Sequence, residues 1–128
     1  MLGVVLVDDS APLRRRVAAL LEELPGVRVL GEADTPATAV ALIQATAPDV
    51  VVLDLRLRDG VGLDVLQQIR VLGCRARVLV FTNHPADVFR DVYTAAGADG
   101  FYDKARDSDQ LVQQIAAMAA PPDRSSAS

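Results

Sequence analysis

Five short runs of mostly branched apolar residues punctuate the chain: Val4-Val5-Leu6-Val7, Val27-Arg28-Val29-Leu30, Val50-Val51-Val52-Leu53, Val78-Leu79-Val80-Phe81 and Gly100-Phe101-Tyr102. The first, third and fourth are apolar at every position. A strand with one wet face alternates apolar and polar residues, so uninterrupted runs predict strands covered on both faces. The run that contains Arg28 and the short last run suit the edges of the sheet.

Stretches of helical spacing separate the runs. Ser10 is placed to cap a first helix, with Pro12 in its first turn. Leu13, Val17, Leu20, Leu21 and Leu24 form its apolar stripe, opposite Arg14, Arg15, Glu22 and Glu23, and Pro25-Gly26 stops it. Thr35-Pro36 opens a second helix carrying Val40, Leu42 and Ile43, bounded by Pro48. A third is predicted over about Leu63 to Leu72, a fourth follows Pro85 and ends at Gly97, and a fifth runs from about Ser108 to Ala120 with Leu111, Val112, Ile115 and Met118 inward. Strand followed by helix, five times over, requires parallel pairing with crossovers. Right-handed crossovers then place helices on both faces. The expected fold is a doubly wound α/β domain with a five-stranded parallel sheet in the order 2-1-3-4-5. The chain has 128 residues, of which 51% are hydrophobic, enough for one self-supporting core. That domain is assigned to residues 1–120, and the polar 121–128 to a tail or the start of a linker.

Ligands of such folds bind at the carboxyl ends of the strands. Asp8 and Asp9 follow the first run, Asp54 the third and Thr82 the fourth, and Lys104 comes just past the fifth. Three crowded carboxylates repel one another, and a divalent cation removes the conflict. Oxygen donors beside open water positions suit Mg²⁺, which takes phosphate oxygens as further ligands. Lys104 is the only lysine of the chain, a compact point charge where a guanidinium fork would crowd a small site. Mg²⁺, an ammonium and a hydroxyl are the groups that hold a phosphoryl group for transfer. Asp54, on the central strand, is the candidate acceptor, because a carboxylate can form an acyl phosphate. Taken singly, each residue reads as a cap, a turn former or a surface charge. Their coincidence at four strand ends favours the chemical reading.

Other classes fit poorly. Thirteen Lys+Arg against seventeen Asp+Glu give a net charge of −4, the wrong sign for a nucleic-acid surface. No apolar run reaches membrane-spanning length, and Met1 to Val7 lacks the basic leader of a signal peptide. The single cysteine, Cys74, suits a reducing compartment and a cytoplasmic location. One histidine, His84, read as a surface-loop residue, supports neither a zinc site nor a hydrolase triad. The first turn, Asp-Asp-Ser-Ala-Pro, has no glycine to let backbone amides cradle a phosphate.

The motifs Val-Asp8-Asp9-Ser, Leu-Asp54-Leu-Arg-Leu-Arg-Asp-Gly60, Phe-Thr82-Asn and Gly97-Ala-Asp-Gly-Phe101-Tyr-Asp-Lys104 resemble those of two-component response regulator receiver domains, over about Val4 to Ala120. The resemblance implies a flavodoxin-like fold and a phosphoryl group passed to Asp54 from a sensor histidine kinase or phosphotransfer protein. It implies that Asp8 and Asp9 bind Mg²⁺ together with Asp54 and the backbone carbonyl of Arg56, that Thr82 and Lys104 contact the phosphoryl oxygens, and that Phe101 is the switch aromatic. Phosphorylation would then reshape the face made by the fourth helix, fifth strand and fifth helix. The chain departs from the family's common pattern at Arg58 and Ala105, where proline often stands, and at Asn83, where a small residue is usual. A cis peptide would accompany proline after Lys104. Asn83 and Asp-Lys-Ala-Arg resemble receivers joined to LuxR-type DNA-binding domains.

Two other classes stay in view. One is a receiver-like interaction module that works without phosphorylation; the presence of acceptor, acids and lysine weighs against it. The other is an aspartate-nucleophile phosphatase, which would want a second acid where Arg56 stands. The sequence leaves open the output domain, the cognate kinase and whether copies pair as a homodimer through the fourth and fifth helices.

Overall fold

A computed structural model describes residues 1–83 and 86–120. The expectations for His84, for Pro85 and for the tail 121–128 lie outside the described residues. In chain order the elements are β1 (Leu2–Val7), α1 (Ala11–Glu22), β2 (Val27–Ala33), α2 (Pro36–Thr46), β3 (Val50–Leu53), β4 (Arg56–Leu57), β5 (Gly60–Val61), α3 (Gly62–Val71), β6 (Arg77–Thr82), α4 (Ala86–Ala95), β7 (Gly100–Asp103) and α5 (Ser108–Ala119). Five strands form a parallel sheet in the order β2-β1-β3-β6-β7. This is the 2-1-3-4-5 arrangement expected from the sequence, with the Arg28 strand and the short last strand at the two edges.

The apolar runs are buried on both sides, as their composition requires. Val5, Val7, Val51, Leu53, Val78 and Val80 face a cluster completed by Ile43 of α2, Leu66 and Ile69 of α3, and Tyr93 of α4. Val4, Leu6, Val50, Val52, Leu79 and Phe81 face the other side, against Val17 and Leu21 of α1 and Leu111 and Ile115 of α5. Among the described residues, no helix is long and apolar enough to cross a membrane.

Local chemistry sets the helix ends. The Ser10 hydroxyl accepts from the Leu13 amide at 3.3 Å, closing the first turn of α1. Thr35 and Thr38 form a reciprocal capping box that starts α2. The structure corrects the sequence reading at three places. Leu20 is 42% exposed: the inward row of α1 runs through Leu13, Val17, Leu21 and Leu24, and Leu20 lies about 100° round the helix from Leu21. Arg14, expected on the wet face, keeps only 14% of its side chain exposed. The segment after Asp54 holds an antiparallel hairpin, β4–β5, that no run of the sequence announced.

Candidate functional site

The parallel register aligns the strand ends. Val7 pairs with Leu53, so the next residues, Asp8 and Asp54, emerge side by side. Backbone bonds carry the ladder one step past the strands: the Asp8 amide donates to Ala33 O at 3.0 Å, the Asp54 amide to Val7 O at 2.9 Å, and the Lys104 amide to Thr82 O at 2.9 Å. Candidate groups from four chain segments are therefore fixed by the sheet itself.

The side chains converge. Asp8, Asp9 and Asp54 each offer a carboxylate oxygen, all within 4.8 Å of one another. The Lys104 ammonium lies 2.6 Å from Asp8 Oδ2 and 2.9 Å from Asp54 Oδ2. The other oxygens of these acids are also engaged: the Ser10 amide donates to Asp8 Oδ1 at 2.8 Å and the Leu55 amide to Asp54 Oδ1 at 2.7 Å. Asp8 and Asp54 are buried, and Asp9 is exposed at the mouth. Thr82 is fully buried at the end of β6. A cleft of about 470 Å³ opens among Asp9, Asp54, Arg56, Asn83 and Lys104. A larger crevice, about 630 Å³, lies at the opposite end of the sheet beside Asp49, Arg75 and Arg77, and contains none of these strand-end groups.

One ammonium serves two buried carboxylates, and the electrostatics follow from that ratio. Burial pulls the Lys104 ammonium down, but its hydrogen bonds to Asp8 and Asp54 outweigh this, and the net displacement is upward. Burial pushes the Asp8 carboxyl up and the neighbouring Asp54 charge adds to it; the bonds from Lys104 and the Ser10 amide offset only part. The cluster is thus short of positive charge. Its donor set fits a hard divalent cation: ligands of an octahedral ion at about 2.1 Å stand roughly 3 to 4.2 Å apart, compatible with oxygens all within 4.8 Å. Among the described residues, Asp8, Asp9 and Asp54 are the side chains close enough together to hold it.

Arg56 lies on β4 at the edge of the same cleft. Phe101 is half-buried on β7 and packs against the core cluster that includes Tyr93 of α4. Its ring meets Tyr93 edge-on at 6.4 Å, and the Arg90 guanidinium stands 5.4 Å from its centre. The Tyr93 phenol is pushed up to about 12, chiefly by burial.

Residues 4–116 match the response regulator receiver domain. The chain belongs to this family. It is 38% identical over 118 residues to the nitrate/nitrite response regulator protein NarP of Escherichia coli, covering 91% of this chain and 54% of that protein. It is 38% identical over 101 residues to the DNA-binding transcriptional activator DevR/DosR of Mycobacterium tuberculosis, covering 79% and 46%. A LuxR-family two-component response regulator from Aurantimonas superposes with a TM-score of 0.84 at 37% identity, over 91% of this chain and 84% of that one. This receiver spans about half the length of the curated relatives it matches. The likeness to LuxR-type receivers expected from Asn83 and Asp-Lys-Ala-Arg is thus met.

The receiver uses several residues that the sequence reading passed over. A Cβ on Gly62 would collide with the Asp54 backbone carbonyl, so the first residue of α3 must be glycine for the Asp54 backbone to sit where it does. A lone glycine between apolar residues was the available signal. Gly62→Ala is expected to cost about 1–3 kcal/mol by overpacking, read as a lower urea midpoint; an unchanged midpoint contradicts the close approach. Arg14 donates to the Asp8 backbone carbonyl and binds Glu32 at 3.0 Å, bracing the first acidic turn. After Lys104 the peptide bond to Ala105 is trans. Asp103 shapes that turn, its carboxylate accepting from the Ala105 amide at 2.7 Å.

Proposed function

We propose that this receiver is a phosphorylation-dependent switch in which Asp54 accepts a phosphoryl group from a histidine of a sensor kinase or phosphotransfer protein. The observation that carries the reading is the shared ammonium: Lys104 bridges Asp54 and Asp8 inside a cluster of three carboxylates. Asp8, Asp9, Asp54 and the Arg56 backbone carbonyl would hold Mg²⁺. When bound, Mg²⁺ neutralises charge on the phosphoryl oxygens.

The chain's own residues do the rest. An Asp54 carboxylate oxygen attacks phosphorus, a P–O bond forms, and the P–N bond of the donor breaks with its electron pair returning to the imidazole. Lys104, already at Asp54, turns its ammonium to the new phosphoryl oxygens, and the Thr82 hydroxyl donates to them. Each charge-assisted bond supplies about 1.5–3 kcal/mol. Two such bonds approach the roughly 5.5 kcal/mol that reverses a 1:99 equilibrium. Thr82 drawn inward lets Phe101 repack, and α4, β7 and α5 shift as one face. The chain acts on itself and turns over no separate substrate, and the exchange is assigned to the cytoplasm. We assign residues 1–120 to the receiver and 121–128 to a polar tail or the start of a linker; where the receiver works within a longer regulator, the output is of a DNA-binding kind by analogy with DevR/DosR.

Incubation with acetyl phosphate and Mg²⁺ is expected to raise the intact mass by one phosphoryl group, and EDTA to prevent it. A mass that stays unchanged, or rises equally in EDTA, contradicts the reading.

A further inference from the structure

The hairpin that carries Arg56 has strands of two residues each, too short to hold a shape alone. Its turn includes Asp59 at φ +65°, a conformation that non-glycine residues rarely adopt unaided. Something outside the hairpin fixes it. The Arg58 amide donates to Asp34 O at 2.8 Å. The Arg58 guanidinium forks onto the same residue, Nε to Oδ2 at 3.0 Å and Nη2 to Oδ1 at 3.2 Å. Gly60 sits flush on Pro36, where a Cβ would come within 2.6 Å of the ring. Asp34 follows Ala33, whose carbonyl receives the Asp8 amide. One residue thus ties the Arg56 loop to the strand frame that carries the first acid.

We propose that Arg58 is a positioning residue for the divalent cation: its fork on Asp34 holds the β4–β5 hairpin so that the Arg56 backbone stays in the cleft beside Asp9 and Asp54. The role rests on the metal reading given above. The pair is exposed, with 62% and 32% of the two side chains accessible, so it adds little to global stability. Its effect belongs at the metal. The sign of that effect is diagnostic. As a bare charge, Arg58 repels a cation, and its removal would tighten binding. As a clamp, its removal weakens binding.

Calorimetric titration of Mg²⁺ alone into the wild type, Arg58→Ala, Arg58→Lys, Asp34→Asn and the Arg58→Ala/Asp34→Asn double variant separates these. Arg58→Ala is expected to weaken Mg²⁺ about tenfold, the low end for a group supporting a metal ligand, with a near-unchanged Tm. Arg58→Lys, which keeps the charge and loses the fork, is expected to bind more weakly than the wild type. The double variant is expected to bind no more weakly than Arg58→Ala, because both changes break one contact. Unchanged or tighter binding by Arg58→Ala, wild-type affinity in Arg58→Lys, or additive losses in the double variant would overturn the role. Wild-type Mg²⁺ affinity in an Asp9→Asn variant would instead overturn the metal reading itself.

Discussion

Asp54→Ala is expected to abolish labelling by acetyl phosphate while the fold survives. Among the three clustered acids, Asp54 directly follows the central β3, and its amide is pinned to Val7 of β1. Removing the carboxylate removes the only group that the reading assigns to attack on phosphorus, so the loss is complete and not graded. Stability follows from two opposed terms. The Leu55 amide loses its acceptor, a cost of about 1–3 kcal/mol for a buried donor. Against this, one of the crowded negative charges disappears, and Lys104 then serves Asp8 alone. A net change within about 1 kcal/mol is expected from terms of this size. Circular dichroism and urea unfolding check the fold, and intact mass checks the label. Residual label in a folded Asp54→Ala protein would mean that another residue is the acceptor.

Lys104→Ala is expected to produce the largest loss of stability and to separate phosphorylation from its response. The Lys104 side chain is 8% exposed and its two partners 10% and 7%, so the variant leaves two buried carboxylates facing each other with no counter-charge. Breaking a buried pair from one side costs about 3–5 kcal/mol. The lower end applies, because Asp8, whose carboxyl already lies above its ordinary range, can take up a proton instead. Mg²⁺ supplies the missing charge, so it should stabilise the variant more than the wild type, and unfolding midpoints with and without the ion measure this. Beryllofluoride, a phosphoryl mimic, should still bind with Mg²⁺, yet amide shifts across α4, β7 and α5 should fail to appear by nuclear magnetic resonance. A full set of shifts in this variant would remove Lys104 from the switch.

The strand ends were legible in the sequence because the physics of crossovers is restrictive. A run such as Val50-Val51-Val52-Leu53, set between helical stretches, reads as a strand covered on both faces, and parallel strands deliver all their carboxyl ends to one rim. Asp8 and Asp54 therefore had to be neighbours once the sheet order was known, and Lys104 had to lie on the same rim, two strands from Asp54. What stayed hidden was set by contacts between residues distant in sequence. The β4–β5 hairpin has strands too short for any periodicity. Arg58 and Asp34 are separated by 24 positions. Gly62 matters because of a backbone oxygen that only the folded chain brings near. Leu20 fell out of the apolar stripe because a five-leucine-and-valine row is wider than the face that α1 turns inward. Arg90 and Tyr93 frame Phe101 from α4, a helix whose packing partner is fixed by topology and not by its own sequence.

The central claim is that Asp54 is the nucleophile of a metal-dependent phosphoryl transfer. Sodium borohydride reduces an aspartyl phosphate to homoserine, so trapping after reaction with acetyl phosphate, followed by peptide mass spectrometry, reads the acceptor directly. The account predicts homoserine at position 54, formed with Mg²⁺ and absent with EDTA. Homoserine at position 8 or 9, a phosphate retained on another side chain, or trapping that is indifferent to Mg²⁺ would contradict it.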